Sequence, residues 1–108
     1  MSRASIPEDI KQQVSAIVEE FNQTMMDAPE DHYAVRFKGR FAYLDRSQYG
    51  SVGPACRLEY RGSMEKWSFA IYRYSRNYYD PDEFMFPGSE DVDGTVEGAL
   101  KAVQKAYP

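Results

Sequence analysis

Residues 55–75 read ACRLEYRGSMEKWSFAIYRYS, and two runs within this stretch alternate between apolar and polar side chains. In residues 55–61 the apolar side chains belong to Cys56, Leu58 and Tyr60. In residues 67–75 they belong to Trp67, Phe69 and Ile71. A period of two residues is typical of a strand with one buried face, and Gly62-Ser63 favours a turn between the runs. The stretch therefore predicts two neighbouring antiparallel strands.

The segments before this stretch show the same alternation. Residues 33–38 place Val35 and Phe37 on one face, and Arg36 and Lys38 on the other. Gly39 marks a turn, so residues 33–38 and 41–46 predict a hairpin. Residues 47–54 contain two glycines and a proline, which favours a loop. Four strands with short connections predict an antiparallel meander.

Helical spacing of apolar residues appears at both ends of the chain. The first predicted helix begins near Ser5, the expected cap, and ends at residues 27–29. The second begins at Asp93 or Thr95. Residues 77–92 are irregular, with a possible short fifth strand at 83–86. The two apolar stripes consist of Ile10, Val14, Ile17, Val18, Phe21 and Met25, and of Val96, Ala99, Leu100, Val103 and Tyr107.

These elements predict a single α+β domain over residues 1–108: a helix, a four-stranded antiparallel meander and a second helix. Each helix has one apolar stripe and the sheet has one strongly apolar face, so both helices are expected to pack on that face. The other sheet face would then carry Arg36, Lys38, Arg46, Arg57, Arg61, Tyr72 and Tyr74.

Charge is distributed unevenly along the chain, although the net charge is only −4. Residues 1–32 carry two basic and seven acidic groups, residues 33–79 nine and three, and residues 80–108 two and seven. A basic middle segment between acidic ends indicates either neutralisation within the fold or a basic face for an anionic partner. A single cysteine excludes an intramolecular disulfide, and no signal peptide or membrane span is predicted. We therefore expect a cytoplasmic protein.

Four short segments carry a resemblance to a family. They are Trp67-Ser-Phe-Ala-Ile-Tyr, Tyr79-Asp-Pro-Asp-Glu, Phe86-Pro-Gly and Gly94-Thr-Val-Glu-Gly-Ala. Over roughly the last two-thirds of its length the chain resembles a family of short prokaryotic proteins whose function is unknown. The resemblance implies a standalone bacterial or archaeal domain, and it implies no activity, cofactor or site residue.

Catalytic and metal-binding patterns are weak in this sequence. Cys56 alternates with core residues, and His32 is distant from it in the chain, so a Cys–His pair has no local signature. Residues 89–100 imitate the middle of a calcium loop around Gly94. However, Ser89 and Leu100 occupy two essential ligand positions. No metal or cofactor is expected, and the balance is against an enzyme.

Three functional hypotheses remain. The leading one is a non-enzymatic protein-interaction domain that forms a homodimer, because Tyr and Arg are enriched at interfaces. The alternative is a single-stranded nucleic-acid-binding module that uses the same basic, tyrosine-bearing face. The third is an enzyme or small-ligand binder that uses the acidic, aromatic segment 77–93. In that segment the candidate groove or lid residues are Tyr78, Tyr79, Phe84 and Phe86.

Overall fold

The computed structural model describes residues 5–26, 30–48 and 50–107. In chain order its elements are helix α1 (Glu8–Met25), strands β1 (Asp31–Lys38), β2 (Phe41–Gln48), β3 (Ser51–Tyr60), β4 (Trp67–Arg73) and β5 (Tyr78–Asp80), a 3₁₀ turn (Ser89–Asp91) and helix α2 (Val96–Ala106). The strands form one antiparallel sheet in the order β1-β2-β3-β4-β5. The predicted α+β class and the meander are confirmed, with five strands instead of four.

Both helices pack on the same face of the sheet and share one apolar core with it. The apolar stripe of each helix supplies one side of this core. The face of the sheet with the alternating apolar residues supplies the other. The buried side chains include Ile10, Val14, Val18, Phe21, Leu44, Cys56, Leu58, Trp67, Phe69, Ile71, Val96, Leu100 and Val103. The period-two and helical patterns therefore identified the core face correctly.

The helix ends differ from prediction in their capping. Helix α1 begins at Glu8 after Pro7, and no side chain caps it, so Ser5 is not the cap. Glu8 and Asp9 place negative charge in the first turn, where it interacts favourably with the helix dipole. Residues 27–29, which were expected to stop this helix, lie outside the described residues. Within the described ranges, no helix has the length and hydropathy needed to cross a bilayer.

Two predictions about the sheet are wrong. The expected loop at residues 47–54 is mostly strand, because β2 continues to Gln48 and β3 begins at Ser51. A β-bulge follows Leu44, which pairs with Cys56, while the next residue of β2 pairs with Pro54. The bulge adds a residue to β3, and proline is tolerated where the ladder is interrupted in this way. The fifth strand is Tyr78–Asp80 and not residues 83–86.

Candidate functional site

No described element covers the sheet face opposite the helices, and we call it the open face. Its members follow from the strand pairing, since residues directly opposite each other on paired strands share a face. Arg36 pairs with Tyr43, and Tyr43 with Arg57. The side chains of the open face are Ala34, Arg36, Lys38, Phe41, Tyr43, Asp45, Arg57, Glu59, Ser68, Ala70, Tyr72 and Tyr79.

Aromatic rings form a continuous row on the open face. The ring centroids of Phe41 and Tyr43 lie 6.2 Å apart, and those of Tyr43 and Tyr79 lie 5.4 Å apart. Tyr72 continues the row at 5.0 Å from Tyr79. Tyr74 is its last ring on the open face, at 4.9 Å from Tyr72, and it also contacts the ring of Tyr107 at the end of α2, at 5.4 Å. Most of these pairs are edge-to-face, an arrangement that the ring quadrupoles favour. The face therefore has an ordered aromatic layer of its own.

The rings of Tyr43 and Tyr79 meet across two intervening strands. These residues lie on β2 and β5, which are three strand spacings apart, or about 14 Å in a flat sheet. Their side chains lean toward each other, so that the ring centroids lie 5.4 Å apart. Ala70 on the intervening strand β4 is buried. Partial burial also raises the pKa of the Tyr79 phenol.

Cations are stacked on the aromatic row. The guanidinium carbon of Arg36 lies 4.6 Å from the centroid of Tyr43, and that of Arg57 lies 4.8 Å from Phe41 and 5.5 Å from Tyr79. Arg36 also forms an ion pair with Asp45 at 2.7 Å. By contrast, Arg57 has no carboxylate within ion-pair distance in the described part of the chain. Arg57 is therefore a cation held between two rings with its charge uncompensated.

The open face has an excess of positive charge. With Arg61 at its border, it carries four basic side chains against the carboxylates of Asp45 and Glu59. Glu59 contacts Arg61 at 3.4 Å and Arg40 at 3.0 Å. A shallow cleft of about 530 Å³ lies at the end where Lys38 and Arg40 flank the rings of Phe41 and Tyr43. An anionic or aromatic group of a partner would find both cations and rings at this end.

The structure places most of the predicted face residues together. Arg36, Lys38 and Arg57 lie on the open face, and Tyr72 belongs to its aromatic row. Arg61 follows β3 at the border. Tyr74 lies at the end of the row, half exposed, and its hydroxyl donates to the Pro54 carbonyl at 2.6 Å.

Three rings of the row were missing from the sequence prediction for this face. Phe41 and Tyr43 alternate with the buried Ala42 and Leu44, so period-two spacing in β2 was the signal that could have found them. Tyr79 carried no such signal, because β5 was not predicted.

Arg46 is not on the open face, and its predicted place there is wrong. It pairs with Tyr33 in the sheet, so it continues the helix-packed face of β2. Its guanidinium binds Asp31 at 2.8 and 2.9 Å, donates to the carbonyl of Tyr107 and lies 5.5 Å from the Tyr33 ring. The hydrogen bond from Arg46 lowers the pKa of Asp31. Arg46 lies at the rim of the core, where its charged end reaches partners beyond the apolar residues.

The four candidate groove residues do not come together. Tyr79 joins the open face, whereas Phe86 packs against the core with its ring centroid 6.0 Å from that of Phe69. Tyr78 and Phe84 are exposed, and the Tyr78 hydroxyl donates to buried Asp80 at 2.9 Å. Segment 77–93 therefore does not build an aromatic groove from these residues.

The candidate catalytic and metal residues are also dispersed. Cys56 is fully buried on the helix-packed face, and burial raises the pKa of its thiol. His32 precedes Tyr33 on β1, so its side chain lies on the opposite face of the sheet from those of Tyr33 and Cys56. Lys105 contacts Glu90 and Asp91 at 3.3 and 2.7 Å. Among the described residues, no three His, Cys, Asp or Glu side chains form a metal-ligating group.

Comparison of the chain with models of known families, with curated proteins and with solved structures found no match. The geometry of the open face therefore carries the functional inference.

Proposed function

We propose that this chain is a non-enzymatic interaction domain that acts through the open face, and that it self-associates there. The supporting observation is the uncovered layer in which the cations Arg36 and Arg57 stack on a row of five rings. Tyr and Arg are the side chains that most often anchor protein interfaces. A solvated sheet face does not need such a layer, since scattered charged and small polar residues suffice.

Charge complementarity favours one mode of self-association. Two open faces in direct contact would bring two positive excesses together. Helix α1, on the opposite side of the molecule, contains four carboxylates against the single cation Lys11. The open face of one copy therefore matches the helix layer of another in charge. Because these two surfaces lie on opposite sides of the molecule, such contacts join copies head to tail, and a dimer is the first step of this assembly.

Light scattering coupled to size-exclusion chromatography tests this proposal. At low salt we expect a mass above that of one chain, and we expect it to fall as added salt screens the charges. Arg57→Glu should shift the protein toward the monomer. The matched control Arg76→Glu makes the same charge change in an exposed turn and should leave the mass unchanged. A strict monomer at high protein concentration and low salt would contradict the proposal.

Single-stranded nucleic acid is the second candidate partner for the open face, and the unpaired Arg57 between Phe41 and Tyr79 favours it. Bases stack on aromatic side chains at about 1–3 kcal/mol each, while arginines hold phosphates. A co-purified oligonucleotide would raise the 260/280 nm absorbance ratio of the peak. Labelled oligothymidylate should then bind with an affinity that falls steeply with salt. Binding that does not depend on salt or on Arg57 would remove this candidate.

A further inference from the structure

The outer edge of β1 has a short stretch of backbone that no described residue pairs. Strand β1 lies at the end of the sheet, and β2 is the only strand among the described residues that pairs with it. The Tyr33 N–H donates to Asn22 Oδ1 at 2.7 Å, and Asn22 Nδ2 donates to the Tyr33 carbonyl at 2.8 Å. The backbone groups of Tyr33 therefore point away from β2, toward helix α1. Alternation along the strand makes those of Val35 and Phe37 point outward as well.

The β1–β2 turn confirms this direction independently. Lys38 pairs with Phe41 across the two-residue connection Gly39-Arg40. In a hairpin with a two-residue loop, the residues that flank the loop are hydrogen-bonded to each other. Lys38 and Arg36 therefore direct their backbone groups toward β2, and Phe37 and Val35 direct theirs outward.

The protein's own groups close the edge on both sides of this stretch. Asn22 occupies the outward groups of Tyr33, and the Ile6 N–H donates to the Gly39 carbonyl at 3.1 Å. Between these two contacts, Val35 and Phe37 present two N–H and two C=O groups. No other described residue hydrogen-bonds to these four groups. An unpaired edge of this kind is a template for an additional strand.

A groove accompanies the unpaired edge. It has a volume of about 500 Å³ and lies between Phe37 and the outer side of α1, which contributes Glu8, Lys11, Gln12, Ser15, Ala16 and Glu19. The carboxylates of Glu8 and Glu19 make this groove unfavourable for acidic side chains, so only uncharged side chains of a partner suit it. The Lys11 ammonium is 5.7 Å from the centroid of Phe37. Side chains of an added strand that point toward the helices would enter this groove. Those on the other side would lie next to Arg36 and Lys38.

We propose that the edge of β1 binds an extended peptide segment of another protein, in which acidic residues alternate with small apolar ones. The segment adds antiparallel to β1 and forms hydrogen bonds with Val35 and Phe37. Its apolar residues lie opposite these two and fill the groove, and its acidic residues lie opposite Arg36 and Lys38. A second copy of this chain does not fit this edge. If Val35 and Phe37 of both copies formed the hydrogen bonds between two antiparallel β1 strands, Arg36 of one copy would lie directly opposite Arg36 of the other.

Fluorescence anisotropy tests this with a labelled peptide that alternates glutamate and valine. We expect saturable binding by the full chain and none by the counterpart with lysine in place of glutamate. Methylating the valine backbone nitrogens removes the N–H groups that face β1, whereas methylating the glutamate nitrogens removes groups that face solvent. The first change should weaken binding roughly tenfold or more, because each lost hydrogen bond costs about fivefold, and the second should have little effect.

Val35→Pro supplies the matching change in the protein. Proline removes one outward N–H and leaves the ladder with β2 intact, so affinity should fall while the chain stays folded. Absence of saturable binding by the glutamate–valine peptide, or equal loss of binding from both methylated peptides, would overturn the proposal. If Val35→Pro instead abolished self-association of the chain, a second copy would occupy the edge and the peptide proposal would also fail.

Discussion

The side chain of Asn22 joins helix α1 to the outer edge of strand β1. Its side-chain amide lies at the edge of β1 as a strand neighbour would, with bonds of 2.7 and 2.8 Å to both backbone groups of Tyr33. Asn22→Ala removes both bonds. Each is worth about 0.5–1.5 kcal/mol, and water at the half-buried edge replaces part of that. We expect the free energy of unfolding to fall by about 1–2 kcal/mol.

Urea unfolding followed by Trp67 fluorescence measures this change. With a slope near 1–2 kcal/mol/M, the midpoint should fall by about 1 M while the slope stays constant. Gln23→Ala is the control, because it deletes a neighbouring exposed amide and should change stability by no more than about 0.5 kcal/mol. Asn22→Asp retains the acceptor for the Tyr33 N–H but sets a carboxylate against its carbonyl, so it should cost at least as much at neutral pH. An Asn22→Ala protein as stable as the control would refute this account of the edge.

Three further predictions concern backbone parity, a buried phenol and a glycine. In urea unfolding Arg36→Pro should cost about 3 kcal/mol or more, because it removes a bond to β2. Val35→Pro should cost clearly less, because it removes only part of the packing of the Val35 side chain against the core. Burial raises the pKa of the Tyr33 phenol to about 12 in the folded protein, above the value of about 10 in the unfolded chain. The stability that this phenol contributes is therefore complete below pH 10 and is lost as pH rises to about 12. Tyr33→Phe should reduce the fall in the free energy of unfolding between pH 10 and pH 12, and an unchanged pH dependence would contradict the raised pKa of Tyr33. Gly88 and Gly62 both have positive φ, of 100° and 108°, but only at Gly88 would an added Cβ meet a backbone oxygen of α2, at 2.4 Å. Gly88→Ala should therefore lower thermal stability by about 2 kcal/mol more than Gly62→Ala, and equal losses would count against the close approach.

Local patterns were sufficient for both helices, for four of the five strands and for the core. Period-two spacing identified the buried face of the central strands, because a strand turns successive side chains to opposite sides whatever its neighbours are. Helical spacing identified both helices for the same local reason. Since each element had one apolar face, placing both helices on one side of the sheet followed without knowledge of strand order.

The candidate site was only partly predictable. Arg36, Lys38, Arg57 and Tyr72 were assigned to the open face from alternation alone. Arg46 was misplaced, although the parity of Ala42 and Leu44 contained the information. A charged side chain is accommodated there because Asp31 and the end of α2 supply partners for the guanidinium at the rim of the core.

Alternation within the chain determined which side chains share a face, and tertiary structure alone decided which of them meet. The contact of Tyr79 with Tyr43 depends on a fifth strand that pairs with β4. The contact of Asn22 with Tyr33 depends on where α1 crosses the edge of β1. Both join residues whose spacing in the chain carries no periodic signal. Such contacts arise from packing the layers together, which is why the aromatic layer and the unpaired edge could not be read from the sequence.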